Sequence, residues 1–234
     1  MASILSKPRV RLATSRDKDG YVHATRAGYE LDLQFRWRYP YRHDFPDDAV
    51  EATGIQFDQA LLNEKATVLV AEPPRLENGT EMIDENWIIV AGVVWEWKFL
   101  TEVEDEHPPI GFSGPTSGRR DMNPHRQRLF ITAITAAEKH NLGPEWGPKR
   151  LELADCATDP TYHRRGAGRA LVEWGLARAK EANVPVSLTA SPMGRELYLR
   201  LGFRELDFFE CEDGEGEEVV RTWVMVWTPE GWTR

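Results

Sequence analysis

The chain has 234 residues, a formal net charge of −9 and an apolar fraction of 41%. This length and composition are typical of a globular protein that buries a core without disulfide or metal cross-links. The acidic balance argues against sequence-independent binding to DNA or RNA, so we expect no nucleic-acid partner.

The first half of the chain alternates predicted strands and helices before an irregular stretch. Strands are indicated by alternating or β-branched apolar residues, and helices by apolar residues at helical spacing. In chain order these are a strand at 8–14, a helix at 15–30, a helix at 47–65, a strand at 66–71, a strand at 86–100 and a loop at 102–123. Ser15 or Asp17 is expected to cap the first helix, and Gly54 is expected to break the second.

The second half has a tighter order of short elements. They are a helix at 126–140, a strand at 150–157, a helix at 166–183, a strand at 184–190, a helix at 193–201 and strands at 203–209 and 219–227. The strand–helix–strand order predicts parallel pairing, and the acidic run at 210–218 predicts the turn of an antiparallel closing hairpin. We therefore expect one mixed α/β domain over residues 1–234, with an irregular insertion at 101–125.

The junction before the predicted helix at 166–183 has the chemistry of an anion site. Gly166 and Gly168 allow a tight turn, and the first amides of the helix lack intrahelical partners. Arg164, Arg165 and Arg169 surround the same point, so a phosphate or pyrophosphate is the natural ligand. The letters match neither a P-loop nor a dinucleotide fingerprint. An ordinary strand-to-helix turn with solvated arginines is the alternative.

Two stretches together resemble a known family. Residues 162–168 (YHRRGAG), followed by Ala-Leu-Val at 170–172, and residues 197–203 (LYLRLGF) are similar to the GNAT superfamily of acetyl-CoA-dependent N-acetyltransferases. The resemblance is strong over residues 150–209 and rests on element order before them. His163 stands where that family has Gln or Arg, which leaves the backbone amides of the turn unchanged.

The resemblance implies a mixed central sheet with helices on both faces. The sheet would splay between the strands at 150–157 and 184–190, and the pantetheine arm of acetyl-CoA would enter the gap. Residues 150–234 would then bind acetyl-CoA, and residues 1–145 would bind the acceptor. The implied cofactor-binding residues are Cys156, Ala157, Thr158, His163, Arg164, Arg165, Gly166, Ala167, Gly168, Arg169, Ser191 and Tyr198.

Acetyl transfer needs an acid, a base and a donor to the oxyanion. By resemblance, Tyr198 is the acid that protonates the leaving thiolate, although a tyrosine that only packs between helix and sheet is the alternative. Glu152, Asp155 and Glu96 are candidate bases, and the sequence does not choose between them or a water-mediated route. The amides of Cys156 and Ala157 are candidate oxyanion donors.

Two further residues have structural interpretations. Ser191 is expected to cap the helix that follows it, with Pro192 at the first helical position. The Cys156 thiol is interpreted as a small strand residue and not as a nucleophile, because no histidine pairing can be read nearby.

The acceptor side is expected to lie around residues 35–45 (FRWRYPYRHDF). Its aromatic residues and arginines either line an acceptor pocket as a lid or form a surface hairpin. The candidate acceptor-binding residues are Trp37, Tyr39, Tyr41 and Glu96. The predicted acceptor is the primary amine of a small molecule. A catalytically silent acyl-CoA sensor, a protein or peptide amine and an O-acetyl acceptor remain alternatives, and the protein is expected to be a monomer or homodimer.

The remaining features concern compartment and metals. The N-terminal stretch has no apolar segment of the signal-peptide kind, and the longest apolar run, at 87–95, is about half of what a bilayer requires. Cys156 and Cys211 predict neither a disulfide framework nor a zinc site, and the six histidines lack metal-ligand spacing. We expect a cytoplasmic protein with no metal and no membrane contact.

Overall fold

The computed structural model describes residues 7–73, 88–99, 118–214 and 218–233. These residues form one sheet of seven strands in the order β1-β2-β3-β4-β5-β7-β6. The strands are β1 (Arg9–Leu12), β2 (Ala66–Glu72), β3 (Ala91–Phe99), β4 (Lys149–Thr158), β5 (Val186–Ala190), β6 (Arg204–Cys211) and β7 (Val220–Trp227). The α-helices are α1 (Lys18–Tyr29), α2 (Leu33–Arg38), α3 (Pro46–Leu62), α4 (Pro124–Asn141), α5 (Ala167–Ala182) and α6 (Pro192–Arg200).

The sheet is mixed, as the sequence predicted. Strands β4 and β5 pair in parallel, and the other neighbouring strands pair antiparallel. The β6–β7 pair is the expected antiparallel closing hairpin, and β7 inserts between β5 and β6. A register shift interrupts the pairing of β3 with β4 at Val94 and Trp95.

Helices cover both faces of this sheet. Helices α5 and α6 pack on one face, where Leu171 and Val172 of α5 join the largest cluster of buried apolar residues. Helices α1 and α3 pack on the opposite face around Tyr21 and Phe57, and α2 and α4 pack beside β6 and β7. Gly175 allows α5 to approach the sheet, because a Cβ there would overlap the indole of Trp95. The arrangement is a single α/β domain.

The sheet is split in its middle. Strands β4 and β5 pair only at Leu151 with Val186 and at Glu152 with Ser187. Beyond these two pairs β4 continues to Thr158, and β5 continues to Ala190 paired with β7. The gap between them therefore opens toward the carboxyl ends of both strands, which is where the helices α5 and α6 begin.

The structure differs from three local expectations. Helix α3 runs unbroken through Gly54. The glycine makes room for the Lys18 side chain of α1, whose Cε would lie 2.8 Å from an added Cβ. Asp17 is the N-cap residue of α1, as expected, but its carboxylate makes no hydrogen bond to that helix and instead accepts from Arg11 and from the backbone amide of Thr14. Residues 35–45 are not a hairpin, since Leu33–Arg38 is helix α2 and turns follow it.

Some expectations fall on residues that the structure does not describe. These are the part of the insertion at 101–117, the ends of the predicted strand at 86–100 and the acidic residues 215–217. Within the described ranges no helix is long and apolar enough to cross a bilayer. The same ranges hold no group of three or more His, Cys, Asp or Glu side chains that is placed to bind a metal ion. The assignment of residues 1–145 to the acceptor and 150–234 to acetyl-CoA remains a prediction.

Candidate active site

A cleft of about 790 Å³ lies where β4 and β5 diverge. One end is formed by the turn before α5, and the middle is formed by the last residues of β4 and by α6. The other end is formed by the end of α1, by α2 and by Arg119. Gly28 allows α1 to approach β4 closely at this point, because a Cβ there would lie 2.8 Å from the carbonyl oxygen of Thr158.

The turn before α5 presents unpaired backbone amides to the cleft. Gly166 is the N-cap in the left-handed conformation with φ 90°, and no described side chain caps the helix. Arg164 also has a positive φ of 63°, so the turn is tight on both sides of Arg165. Gly168 lets the helix start approach β4, since a Cβ there would lie 3.3 Å from Thr158 Oγ1. The helix dipole and free N–H groups make this end suited to an anion.

The predicted charged residues of the turn are not equivalent. Arg164 and Arg169 line the cleft, and Arg169 Nε also donates to Glu173 Oε1 at 2.7 Å. Arg165 lies instead over the ring of Tyr162, with 5.2 Å between its Cζ and the ring centroid, and is not part of the cleft lining. His163 lines the cleft and its Nε2 lies 3.0 Å from the carbonyl oxygen of Thr158. The structure therefore places two of the three arginines at the predicted anion site.

Tyr198 of α6 lines the cleft. Its side chain is held edge-on against Phe203 with ring centroids 5.6 Å apart, and only 7% of the residue is exposed. The hydroxyl has no hydrogen bond to any described residue. Burial, together with the nearby Cys156 and Asp155, raises the pKa of Tyr198 well above its usual value. The phenol is therefore protonated at neutral pH and is available as a donor.

Asp155 of β4 lines the cleft close to Tyr198. Burial raises the pKa of this carboxyl to about 6, and a hydrogen bond donated by Tyr21 Oη to Oδ2 at 3.1 Å opposes part of that rise. Tyr21 is itself fixed, because its ring packs over Gly92 where a Cβ would overlap it. A carboxylate with this pKa is mostly ionised at neutral pH and can still accept a proton from a reacting group.

The other two candidate bases lie outside the cleft lining. Glu96 is buried and accepts a hydrogen bond from Lys98 Nζ at 2.8 Å. Glu152 lies 3.8 Å from Lys98 Nζ and lines a separate small pocket with Glu138 of α4. Burial and the charge of Glu152 raise the pKa of Glu138 to about 8. The structure thus brings Asp155 to the cleft, whereas Glu96 and Glu152 do not line it.

Four further residues that were predicted to bind the cofactor also line the cleft. Cys156, Ala157 and Thr158 line the cleft along β4. Burial raises the pKa of the Cys156 thiol to about 12, so the thiolate nucleophile is excluded at neutral pH. Ser191 lines the cleft and is the N-cap of α6, accepting from the amide of Gly194 at 3.4 Å, with Pro192 at the first helical position.

The end of the cleft near α2, where the acceptor is predicted to bind, is partly aromatic, but its lining differs from the prediction. Tyr39 lines the cleft and stacks on Phe35 with ring centroids 4.5 Å apart. Trp37 points away, 1% exposed, into a cluster with Phe130 under α2. Tyr41 is 46% exposed and lies outside the cleft lining. Trp37 and Tyr41 are therefore not placed to contact a ligand in the cleft.

Sequence reasoning missed several residues of this end. They are Gly28, Tyr29, Asp32, Gln34, Thr53, Gln56 and Arg119, whereas Phe35 and Arg38 lie within the stretch 35–45 that was predicted to line a pocket. Asp32 is the N-cap of α2, and an Asp directly before an apolar helical stretch is a capping signal that could have revealed the helix. Nothing in the spacing of the other residues connects them, because they come together only through tertiary contacts.

Comparison with known proteins agrees with this geometry. Residues 95–203 match the family model described as "Acetyltransferase (GNAT) family". An acetyltransferase from Stachybotrys chartarum is 26% identical over 212 residues, which cover 89% of this chain and 85% of the relative. The polyamine N-acetyltransferase of Drosophila melanogaster superposes with a TM-score of 0.60 at 15% identity, covering 95% of this chain and all (100%) of that one. A Corynebacterium glutamicum protein described as "histone acetyltransferase HPA2 and related acetyltransferase" gives 0.56 at 19% identity, covering 95% and 97%.

Proposed function

We propose that the chain is an acetyltransferase of the GNAT type, which transfers the acetyl group of acetyl-CoA to the primary amine of a small molecule by direct attack in a ternary complex. The proposal is supported by the match of residues 95–203 to the GNAT family model. One observation carries the proposal. A single cleft brings together the open amino end of α5, the protonated phenol of Tyr198 and the carboxyl of Asp155, whose pKa is about 6.

The turn before α5 fits the diphosphate of coenzyme A. The amides of Ala167, Gly168 and Arg169 have no side-chain cap among the described residues, and Arg164 adds a positive charge on the same side. Charge-assisted hydrogen bonds of this kind are the strong ones in phosphate binding. When bound there, acetyl-CoA would supply a thioester as the activated acyl group.

The residues of the middle of the cleft divide the proton transfers. Asp155 accepts a proton from the acceptor ammonium, which frees the nitrogen lone pair for attack. The amides at Cys156 and Ala157 are the proposed donors to the oxygen that becomes negative during attack. Tyr198 gives its proton to the departing sulfur and regains one from the acylated nitrogen. The products are an amide and a free thiol, and one proton leaves to solvent.

Thiol release tests the proposal directly. Purified protein with acetyl-CoA and a panel of primary amines is expected to release free thiol well above the buffer rate, and Asp155→Asn is expected to lower this rate by about 10²- to 10⁴-fold. The control is Tyr41→Phe, which changes an exposed residue outside the cleft lining. Saturable acetyl-CoA binding without thiol release would identify a silent sensor. Thiol release with peptides alone would identify a protein acceptor.

Location and assembly remain predictions of the sequence. We propose a cytoplasmic protein that acts as a monomer or homodimer and needs no metal. The chemistry above uses only side chains and amides of one chain. No step in it depends on a partner subunit.

A further inference from the structure

Asp32 is a buried carboxylate on the acceptor side of the cleft. It lines the cleft, although only 6% of the residue is exposed. Its Oδ1 accepts from the amide of Gln34 at 2.8 Å and from that of Phe35 at 3.2 Å. Its Oδ2 has no hydrogen bond to any described residue and is not sealed from the cleft. One oxygen therefore holds the start of α2, and the other remains available.

The charged surroundings of Asp32 do not explain this oxygen. The guanidinium of Arg38 lies within electrostatic reach, but its Nε donates to the carbonyl oxygen of Gln34 at 3.1 Å and its Nη1 lies 3.5 Å from Gln127 Oε1. Arg119 is bound by Asp121 through two hydrogen bonds. A buried carboxylate oxygen without a donor is costly, so a ligand that supplies one gains affinity.

Asp32 lines the same cleft as Tyr198 and Asp155. Besides burial, the charges of Asp155 and Asp32 contribute to raising the pKa of Tyr198, so Asp32 lies within electrostatic reach of the phenol. The two carboxylates nevertheless differ. Asp155 accepts a hydrogen bond from the Tyr21 hydroxyl, whereas Oδ2 of Asp32 accepts none from any described residue. This difference suits two tasks: one carboxylate removes a proton, and the other binds a cation.

We propose that Asp32 Oδ2 binds the ammonium group of the acceptor, so that the enzyme selects aliphatic amines, which are cationic at neutral pH, over uncharged arylamines. This inference rests on the proposed function and names the substrate class of the same cleft. A neutral arylamine would donate only an uncharged N–H group to Asp32 Oδ2, and hydrogen bonds between neutral groups are roughly half as strong as those that involve a charged group.

Asp32→Asn tests the charge without removing the cap. Asparagine caps helices as well as aspartate does, so α2 is expected to keep its start. Calorimetry with butylamine, phenethylamine and agmatine is expected to show about 10- to 100-fold weaker binding to Asp32→Asn than to wild type. Binding of acetyl-CoA and of phenethyl alcohol, the uncharged analogue of phenethylamine, is expected to be unchanged.

Asp159→Asn is the matched control. Asp159 is also a buried aspartate that caps a helical turn, through the amide of Thr161 at 2.8 Å, but it lies outside the cleft lining. Its replacement is expected to leave amine affinity unchanged. Equal loss of affinity for phenethylamine and phenethyl alcohol in Asp32→Asn would mean a structural role and overturn the inference.

Three other results would also overturn it: unchanged amine affinity in Asp32→Asn, no measurable binding of the three amines to wild type, or better turnover of aniline than of these amines by wild type. Failure of the proposed function is distinguishable. Wild type that binds amines in an Asp32-dependent way but releases no thiol contradicts catalysis and leaves the ammonium site in place.

Discussion

Replacing Tyr21 with phenylalanine should shift the pH dependence of turnover. Tyr21 Oη donates to Asp155 Oδ2 at 3.1 Å, and this contact is the only polar task of its side chain among the described residues. The ring is 2% exposed and packs against Phe57 with centroids 4.7 Å apart. Phenylalanine fills the same volume, so the change removes a hydrogen bond to the proposed base and leaves the packing intact.

The direction and size of the pH shift follow from the effect of this hydrogen bond on the pKa of Asp155. Burial raises the pKa of Asp155 to about 6, and the Tyr21 hydroxyl lowers it by stabilising the ionised form. A hydrogen bond to a charged group contributes about 1.5 kcal/mol or more, and one pKa unit corresponds to 1.36 kcal/mol. Tyr21→Phe should therefore raise the pKa of Asp155 by about one unit. Because the base acts only when ionised, the fall in kcat/KM at acidic pH should begin about one unit higher.

Initial rates of thiol release at roughly pH 5 to 9 measure this shift. The alkaline plateau of Tyr21→Phe should match that of wild type, because the carboxyl is ionised there in both proteins. Tyr41→Phe, which removes an exposed hydroxyl, should keep the wild-type midpoint. A wild-type midpoint in folded Tyr21→Phe would refute the assignment of Asp155 as the base.

Three further changes test the remaining parts of the cleft and core. Tyr198→Phe should lower kcat by about 10²- to 10⁴-fold through loss of the proposed acid, with acetyl-CoA affinity by calorimetry unchanged; wild-type turnover would contradict this role. Gly166→Ala should weaken acetyl-CoA binding about tenfold, since a left-handed φ of 90° costs an L-residue roughly 1–2 kcal/mol, and calorimetry measures the effect. Gly175→Ala should lower the free energy of unfolding in urea by about 1–3 kcal/mol because its Cβ overlaps Trp95, and an unchanged urea midpoint would mean that α5 shifts freely.

The parts of the fold and site that the sequence predicted are encoded locally. In the turn at 164–169, the glycine that adopts the left-handed conformation and the arginines that supply charge are adjacent in sequence, and α5 follows immediately. Ser191 and Pro192 mark the start of α6 for the same reason. Apolar runs likewise predicted most of the strands, and the order of elements predicted the parallel β4–β5 pair.

The choice between the candidate bases was not encoded locally. Alternation along β4 would place Asp155 on the face opposite Ala154, but the register shift near Trp95 puts both on the α1 side. That bulge is what brings Asp155 to Tyr21. A bulge depends on pairing with another strand, so the β4 residues alone do not reveal it.

Helix α2 shows a second limit of the same kind. An aromatic-rich stretch predicted ligand contacts for Trp37, Tyr39 and Tyr41 alike. In a short helix packed between a cleft and a core, side chains two residues apart point in different directions. Tyr39 therefore reaches the cleft, and Trp37 reaches Phe130.

The short pairing between β4 and β5 is expected to make the stability of the protein depend on a bound ligand. Without a ligand, strand pairing joins the two halves of the sheet only at Leu151–Val186 and Glu152–Ser187. A ligand seated in the gap contacts both halves, and any ligand that prefers the native state adds RT ln(1 + [L]/Kd) to its stability, about 2.7 kcal/mol at a hundredfold excess over Kd. If acetyl-CoA is that ligand, as proposed, the heat tolerance of the protein and its resistance to proteolysis should increase with the concentration of acetyl-CoA.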